Sequence, residues 1–118
     1  MSSERHPEPL TPREFHILLA LSQGPANGYQ ITQRAEDAAG GRVRLSPGTL
    51  YENLHRLHER GWLREVKDDP ELSADGRGQR FYELSEVGWR VLSEEVRRLS
   101  DDVRLATERL LRRLDSVR

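Results

Sequence analysis

The residues from Asn27 to Gly61 carry most of the chemistry this chain can offer. Ser46-Pro47-Gly48-Thr49-Leu50-Tyr51 opens a helix: Ser46 is a good N-cap, and Pro47 suits the first helical position, where a missing N–H costs nothing. Leu50, Leu54 and Leu57 then fall at i, i+4 and i+7 and form one narrow apolar stripe. Thr49, Tyr51, Asn53 and Arg56 are assigned to the opposite face, where hydroxyl, amide and guanidinium groups can donate to phosphates and base edges. A helix that buries one stripe and offers such donors on the other suits the reading of double-stranded DNA. Taken alone, the pattern fits an ordinary core helix with a solvated face equally well.

Other chemistries find weaker support. His55 and His58 stand three apart on the same helix and His16 lies on the first one, an arrangement that raises metal sensing as an alternative. Two histidines without cysteine or a paired carboxylate make a poor ligand set, so no metal and no cofactor is expected. The chain has no Cys, which excludes disulfides and thiolate sites and suits a reducing compartment. No Ser/His/Asp arrangement, Gly-rich phosphate loop or isolated carboxylate pair is present, so the chain does not read as an enzyme. Trp62 is expected to anchor a hairpin in the core. Trp89 follows Gly88 near the start of a long helix, where it either packs or faces a cavity for a flat aromatic ligand.

Composition narrows the class further. A length of 118 residues fits one small domain with one projecting element. Hydrophobic content of 35% against 33% charged is lean, and suits a protein that completes its core by associating. The formal net charge of −1 counts against a histone-like binder driven by bulk charge. Basicity is local: Arg42, Arg44, Arg56, Arg60 and Arg64 face only Glu52 and Glu59 over the same stretch, while acids gather from Glu65 to Asp75. No apolar run approaches the roughly 20 residues of a membrane span, and residues 1–9 read as a polar, disordered tail with no signal peptide. A cytoplasmic location follows as the expectation.

The elements that position the Asn27–Gly61 chemistry can be traced along the chain. Thr11-Pro12-Arg13-Glu14 announces the first helix with a capping box, and Leu10 and Phe15 occupy the positions of a hydrophobic staple. Phe15, Leu18 and Leu19 form one apolar face of that helix, and Ile17 and Leu21 a second, which predicts burial by its own domain on one side and a partner chain on the other. Gly24-Pro25 stops it. A second helix runs from near Asn27 to about Ala39. Beyond Gly61, Trp62–Val66 and Gln79–Leu84 read as two strands joined by a loop from Asp68 to Gly78. Three helices and then a hairpin is the order of a winged helix-turn-helix domain, here spanning 10–84, with Arg77 and Arg80 placed where a wing meets phosphates or the minor groove.

Residues 85–118 read as one long helix capped by Ser85. Leu92, Val96, Leu99, Val103, Ala106 and Leu110 recur in steps of four and three, a heptad seam that calls for a second copy of the chain. Phe15, Leu18, Leu92, Val96, Leu99, Val103 and Leu110 are accordingly the expected dimer contacts. An effector pocket for a planar aromatic ligand is expected at the same junction, near Phe15, Trp89 and Leu92. The fold class is therefore mainly α with a small β-hairpin, a winged helix-turn-helix domain followed by a long C-terminal dimerisation helix.

Leu10-Thr11-Pro12, Phe15–Leu21, Gly24-Pro25, Gly28-Tyr29, Leu45–Tyr51, Leu54-His55-Arg56-Leu57, Gly61-Trp62-Leu63 and Arg80–Ser85 together resemble the PadR family of bacterial transcriptional regulators, in its short branch with a single C-terminal helix. The resemblance runs from about Leu10 to Leu99. It implies a homodimeric repressor that binds a palindromic promoter operator and is often released by a small aromatic effector. Carried across by position, it assigns DNA contacts to Tyr29, Ser46, Thr49, Tyr51 and Arg56, and a wing-base contact to Arg80. The chain departs from the pattern in its long loop, acidic before Arg77. A dimeric winged-helix module for protein contacts and a metal-sensing winged-helix repressor are the alternatives.

Overall fold

Capping residues decide where the first three helices begin. The computed structural model describes residues 9–66 and 80–116. In helix α1, Pro12–Leu21, the Thr11 hydroxyl accepts the Glu14 N–H at 3.1 Å while Glu14 Oε1 accepts the Thr11 N–H at 3.0 Å. Helix α2, Gly28–Ala39, repeats the device with Asn27 and Gln30 at 2.9 and 3.0 Å. Helix α3, Pro47–Glu59, starts on Ser46, whose hydroxyl accepts the Thr49 N–H at 3.3 Å. Each cap satisfies N–H groups that a helix start otherwise leaves to solvent.

A short strand β1, Ala26–Asn27, precedes α2; β2, Leu63–Val66, and β3, Phe81–Leu84, follow α3. They form an antiparallel sheet in the order β1-β3-β2, with Ala26 opposite Tyr82 and Leu63 opposite Leu84. The expected hairpin is thus the outer part of a three-stranded sheet. Two residues are too few to show a strand period, so β1 has no signature of its own; it exists because the chain entering α2 runs beside β3. The third strand relieves the marginal stability of a lone two-stranded ribbon.

The core gathers Ile17, Leu18 and Leu21 of α1, Ile31 of α2 and Leu54 and Leu57 of α3, all fully buried. α1 packs on α2, β3 and the last helix; Ile17, Leu18 and Leu21 are buried, while Phe15 and Leu19 stay half-buried. Leu18, expected at the dimer seam, has no exposed surface and cannot serve as a contact with a second copy.

Helix α4, Glu86–Ser116, is 31 residues long, or about 46 Å at 1.5 Å per residue. The Ser85 hydroxyl accepts the Gly88 N–H at 3.0 Å and donates to the Gly61 carbonyl at 2.5 Å. Gly88, Val91, Leu92 and Glu95 bury its first turns against the domain. Leu92 is therefore consumed by its own core, which removes it too from the expected dimer contacts. From Val96 onward every described residue is exposed. Val96, Leu99, Val103 and Leu110 form an apolar stripe that stays 41–63% exposed among the described residues.

Candidate nucleic-acid interface

α3 is held by Leu50, Leu54 and Leu57, and its first two turns turn polar groups outward. Ser46, Pro47, Gly48, Tyr51, Glu52 and His55 are exposed and Thr49 is half-buried. Tyr29, in the first turn of α2, is 73% exposed and Tyr51 55%, unusual values for large aromatic side chains. The two lie close: a Cβ added at Gly28 would stand 2.8 Å from the Tyr51 hydroxyl oxygen. The absence of a side chain at Gly28 lets that hydroxyl rest on the start of α2, beside Tyr29. The fold thus gathers Tyr29, Ser46, Thr49 and Tyr51 at the N-terminal ends of two adjacent helices.

Asn53 does not join them. It is only 5% exposed, its Nδ2 donates to the Thr49 carbonyl at 2.8 Å, and its Oδ1 accepts from Arg56 Nη2 at 2.9 Å. Position 53 is i+3 from Leu50 and i−4 from Leu57, so the helical period puts it on the buried stripe and not on the opposite face. Asn53→Ala should cost roughly 1–2 kcal/mol of stability, as expected for emptying a buried hydrogen-bonded site. Chemical denaturation measures this; unchanged stability together with relaxed preference at one base pair would return Asn53 to the reading surface.

Arg56 is anchored from a second side. Its Nε lies 3.8 Å from Glu14 Oε2, and Arg60 Nη1 donates to the same oxygen at 3.4 Å. Glu14 is buried, with Oε1 committed to the Thr11 cap, so one carboxylate both starts α1 and ties it to α3. The capping box was visible in the sequence, but the reach of the second oxygen across to Arg56 and Arg60 carries no local signal. Arg60 also lies over the buried Trp62 ring, 5.1 Å from its centre.

At the sheet, Arg80 is exposed with Nε 3.7 Å from Glu65 Oε2, and Arg64 pairs with Glu83 at 2.9 Å across β2 and β3. Arg77 and the acidic loop before it lie outside the described residues.

A family model, Transcriptional regulator PadR-like family, matches residues 17–94. The chain belongs to the PadR family. It is similar to Transcriptional regulator Rv3488 of Mycobacterium tuberculosis, with 34% identity over 87 residues that cover 74% of this chain and 75% of the relative. The fold matches a crystal structure of a PadR family transcription regulator from Clostridium difficile, with a TM-score of 0.68 at 18% identity, covering 85% of this chain and 99% of the other. RosR of H. salinarum superposes with a TM-score of 0.62 at 22% identity, over 92% of this chain and 96% of that one. As a PadR-family winged-helix protein the chain is a transcriptional regulator and not an enzyme.

Two further expectations meet the geometry of this PadR-family chain. Phe15 lines a shallow depression of about 370 Å³ with Val96, Leu99, Ser100, Val103 and Arg104. Trp89, half-exposed, and Leu92, buried, do not line it, so the three residues Phe15, Trp89 and Leu92 do not share this depression. Among the described residues no group of three or more His, Asp or Glu side chains is placed to hold a metal ion; His55 stands 3.8 Å from Glu59, and His16 Nδ1 lies 2.8 Å from the Pro12 carbonyl. No described helix is long and apolar enough to cross a membrane.

Proposed function

We propose that this PadR-family regulator represses transcription by binding a palindromic operator as a homodimer in the cytoplasm. The exposure of Tyr29, Ser46, Thr49 and Tyr51 at the paired ends of α2 and α3 carries the reading. In helix-turn-helix docking the N-terminal residues of the second helix meet base edges, and a two-fold dimer sets its reading helices roughly 34 Å apart. Thr49 is assigned to base edges; Tyr29, Ser46, Tyr51 and Arg56 to the sugar–phosphate backbone. Arg80, with Arg77, is assigned to the wing contact. Phe15, Val96, Leu99, Val103 and Leu110 are assigned to the dimer contact, where the uncovered stripe of α4 meets its copy. Release by a planar aromatic ligand belongs to the same reading, with Phe15 and Trp89 brought to one site only by the second chain.

Arg56→Ala tests the DNA contact. With Glu14 and Asn53 already orienting it, Arg56 loses little freedom on meeting a phosphate, so its removal should weaken binding to specific and random duplex alike. The slope of log affinity against log salt should fall by about one per lost contact. Anisotropy titrations over a salt series measure both, with thermal melting as the control for folding. A folded variant with unchanged affinity and slope on both duplexes would remove Arg56 from the interface.

A further inference from the structure

Three arginines outside that interface converge where the chain enters α3. Arg13 in the first turn of α1, and Arg42 and Arg44 between α2 and α3, line one depression of about 240 Å³ together with Thr11, Pro12 and Val43. No carboxylate lines it. Glu14 is committed to Thr11, Arg56 and Arg60, and Glu36 accepts the Leu45 N–H at 3.2 Å; Asp37, nearest in sequence to Arg42 and Arg44, pairs with neither of them among the described residues. Arg64, Arg80, Arg98 and Arg104, by contrast, each stand against a carboxylate.

Two of the three are already braced. Arg13 Nε donates to the Arg44 carbonyl at 3.4 Å and Arg42 Nε to the Ala39 carbonyl at 2.9 Å. Each bond uses one of the five N–H donors of a guanidinium and fixes its stem. The Arg44 side chain makes no hydrogen bond or ion pair among the described residues. Three guanidiniums around a concavity, two of them braced and none paired with a carboxylate among the described residues, form a site for a phosphate group, the anion whose oxygens match the guanidinium fork.

We propose that Arg13, Arg42 and Arg44 form a phosphodiester clamp that grips the DNA backbone beside the groove entered by α3. The proposal rests on the reading that α3 enters the major groove. Its reach is set by the chain: Arg44 lies two residues before the Ser46 cap, and the four-residue span from Arg42 to Ser46 extends to at most about 14 Å. The major groove is about 12 Å wide, so phosphates on its rim come within range of arginine side chains at this distance from the helix start. The Arg13–Arg44 bond links α1 to this segment, so a phosphate held here fixes the position of α3 and carries no base information.

The test compares the full-length protein with the double variant Arg13→Gln, Arg44→Gln and with the charge-keeping Arg13→Lys, Arg44→Lys, all checked by thermal melting. Duplex affinity is measured over a salt series, on a selected operator and on random sequence. The glutamine variant should bind both at least tenfold more weakly, with a salt slope smaller by about two per half-site, one for each lost phosphate contact. The lysine variant should keep most of the slope. A folded glutamine variant with unchanged slope overturns the clamp while leaving the α3 interface standing. If the unmutated protein binds no duplex, both fall. Titration with inorganic phosphate, followed by amide NMR, separates the two sources of the anion. Saturable shifts at Arg13 and Arg44 that vanish in the glutamine variant, combined with unchanged duplex affinity, would assign the site to a free phosphate and overturn the backbone clamp.

Discussion

Gly88→Ala should lower the melting temperature by roughly 10 °C or more, the shift expected for a loss of about 3 kcal/mol in a domain of this size. On propensity alone the substitution would help, since glycine inside a helix is about 1 kcal/mol less favourable than alanine. Geometry reverses the sign. A Cβ at Gly88 would stand 2.1 Å from the Trp62 carbonyl oxygen and 3.0 Å from its carbon. That carbonyl is fixed, because it accepts the Ser85 N–H at 3.0 Å, while the Ser85 hydroxyl bridges Gly61 and Gly88. No side chain can swing away, so α4 must lift from the end of α3 and from β2, taking Val91 and Leu92 out of the core. Overpacking that flexible neighbours can absorb costs about 1–3 kcal/mol, and a backbone obstacle belongs at the upper end. Differential scanning calorimetry measures the change. A melting temperature equal to or above that of the unmutated protein would show that the α4 joint is looser than the close approach at Gly88 requires.

Leu99→Glu should convert a dimer to a monomer and reduce operator affinity by about 10²-fold or more. Leu99 is 41% exposed in the single chain and lies on the Val96–Leu110 stripe, beyond the part of α4 that its own domain covers. A glutamate there is harmless to an isolated chain, since it faces water. In a paired seam the same carboxylate loses water without gaining a partner, at a cost of several kcal/mol. Two half-sites held together bind with an effective concentration that a monomer lacks, and that difference is worth 10²–10⁴ in avidity. Sedimentation and duplex titration are the two readouts, and the melting temperature of the domain should move much less than for Gly88→Ala. A monomeric unmutated protein at micromolar concentration, or a variant that remains dimeric, would reject the stripe as the dimer contact.

The contrast between these sites shows where the sequence was legible. Helix starts were readable because a cap and its partner lie three residues apart: Thr11 with Glu14, Asn27 with Gln30, and Ser46 with Thr49 all form as their spacing demands. The α3 stripe of Leu50, Leu54 and Leu57 was readable for the same reason, and so was an apolar stripe on α4 from Val96 to Leu110, which the described residues leave exposed, since helical periodicity is local information. Asn53 was misplaced although the period already set it beside Leu50 and Leu57; its polar side chain suggested a solvent face that its backbone position denies.

Order of elements and local spacing therefore determined the helix starts, the winged-helix arrangement and the exposed end of α3. Only the tertiary structure decided which apolar faces are already occupied, because burial depends on what other segments bring: α1 packs on α2, β3 and α4, and Leu18 and Leu92 end up in the core. It alone added β1 beside β3, aimed the second oxygen of Glu14 at Arg56 and Arg60, and set Arg13 next to Arg44 from 31 residues away. These are pairings between residues distant in sequence, and no local period encodes them.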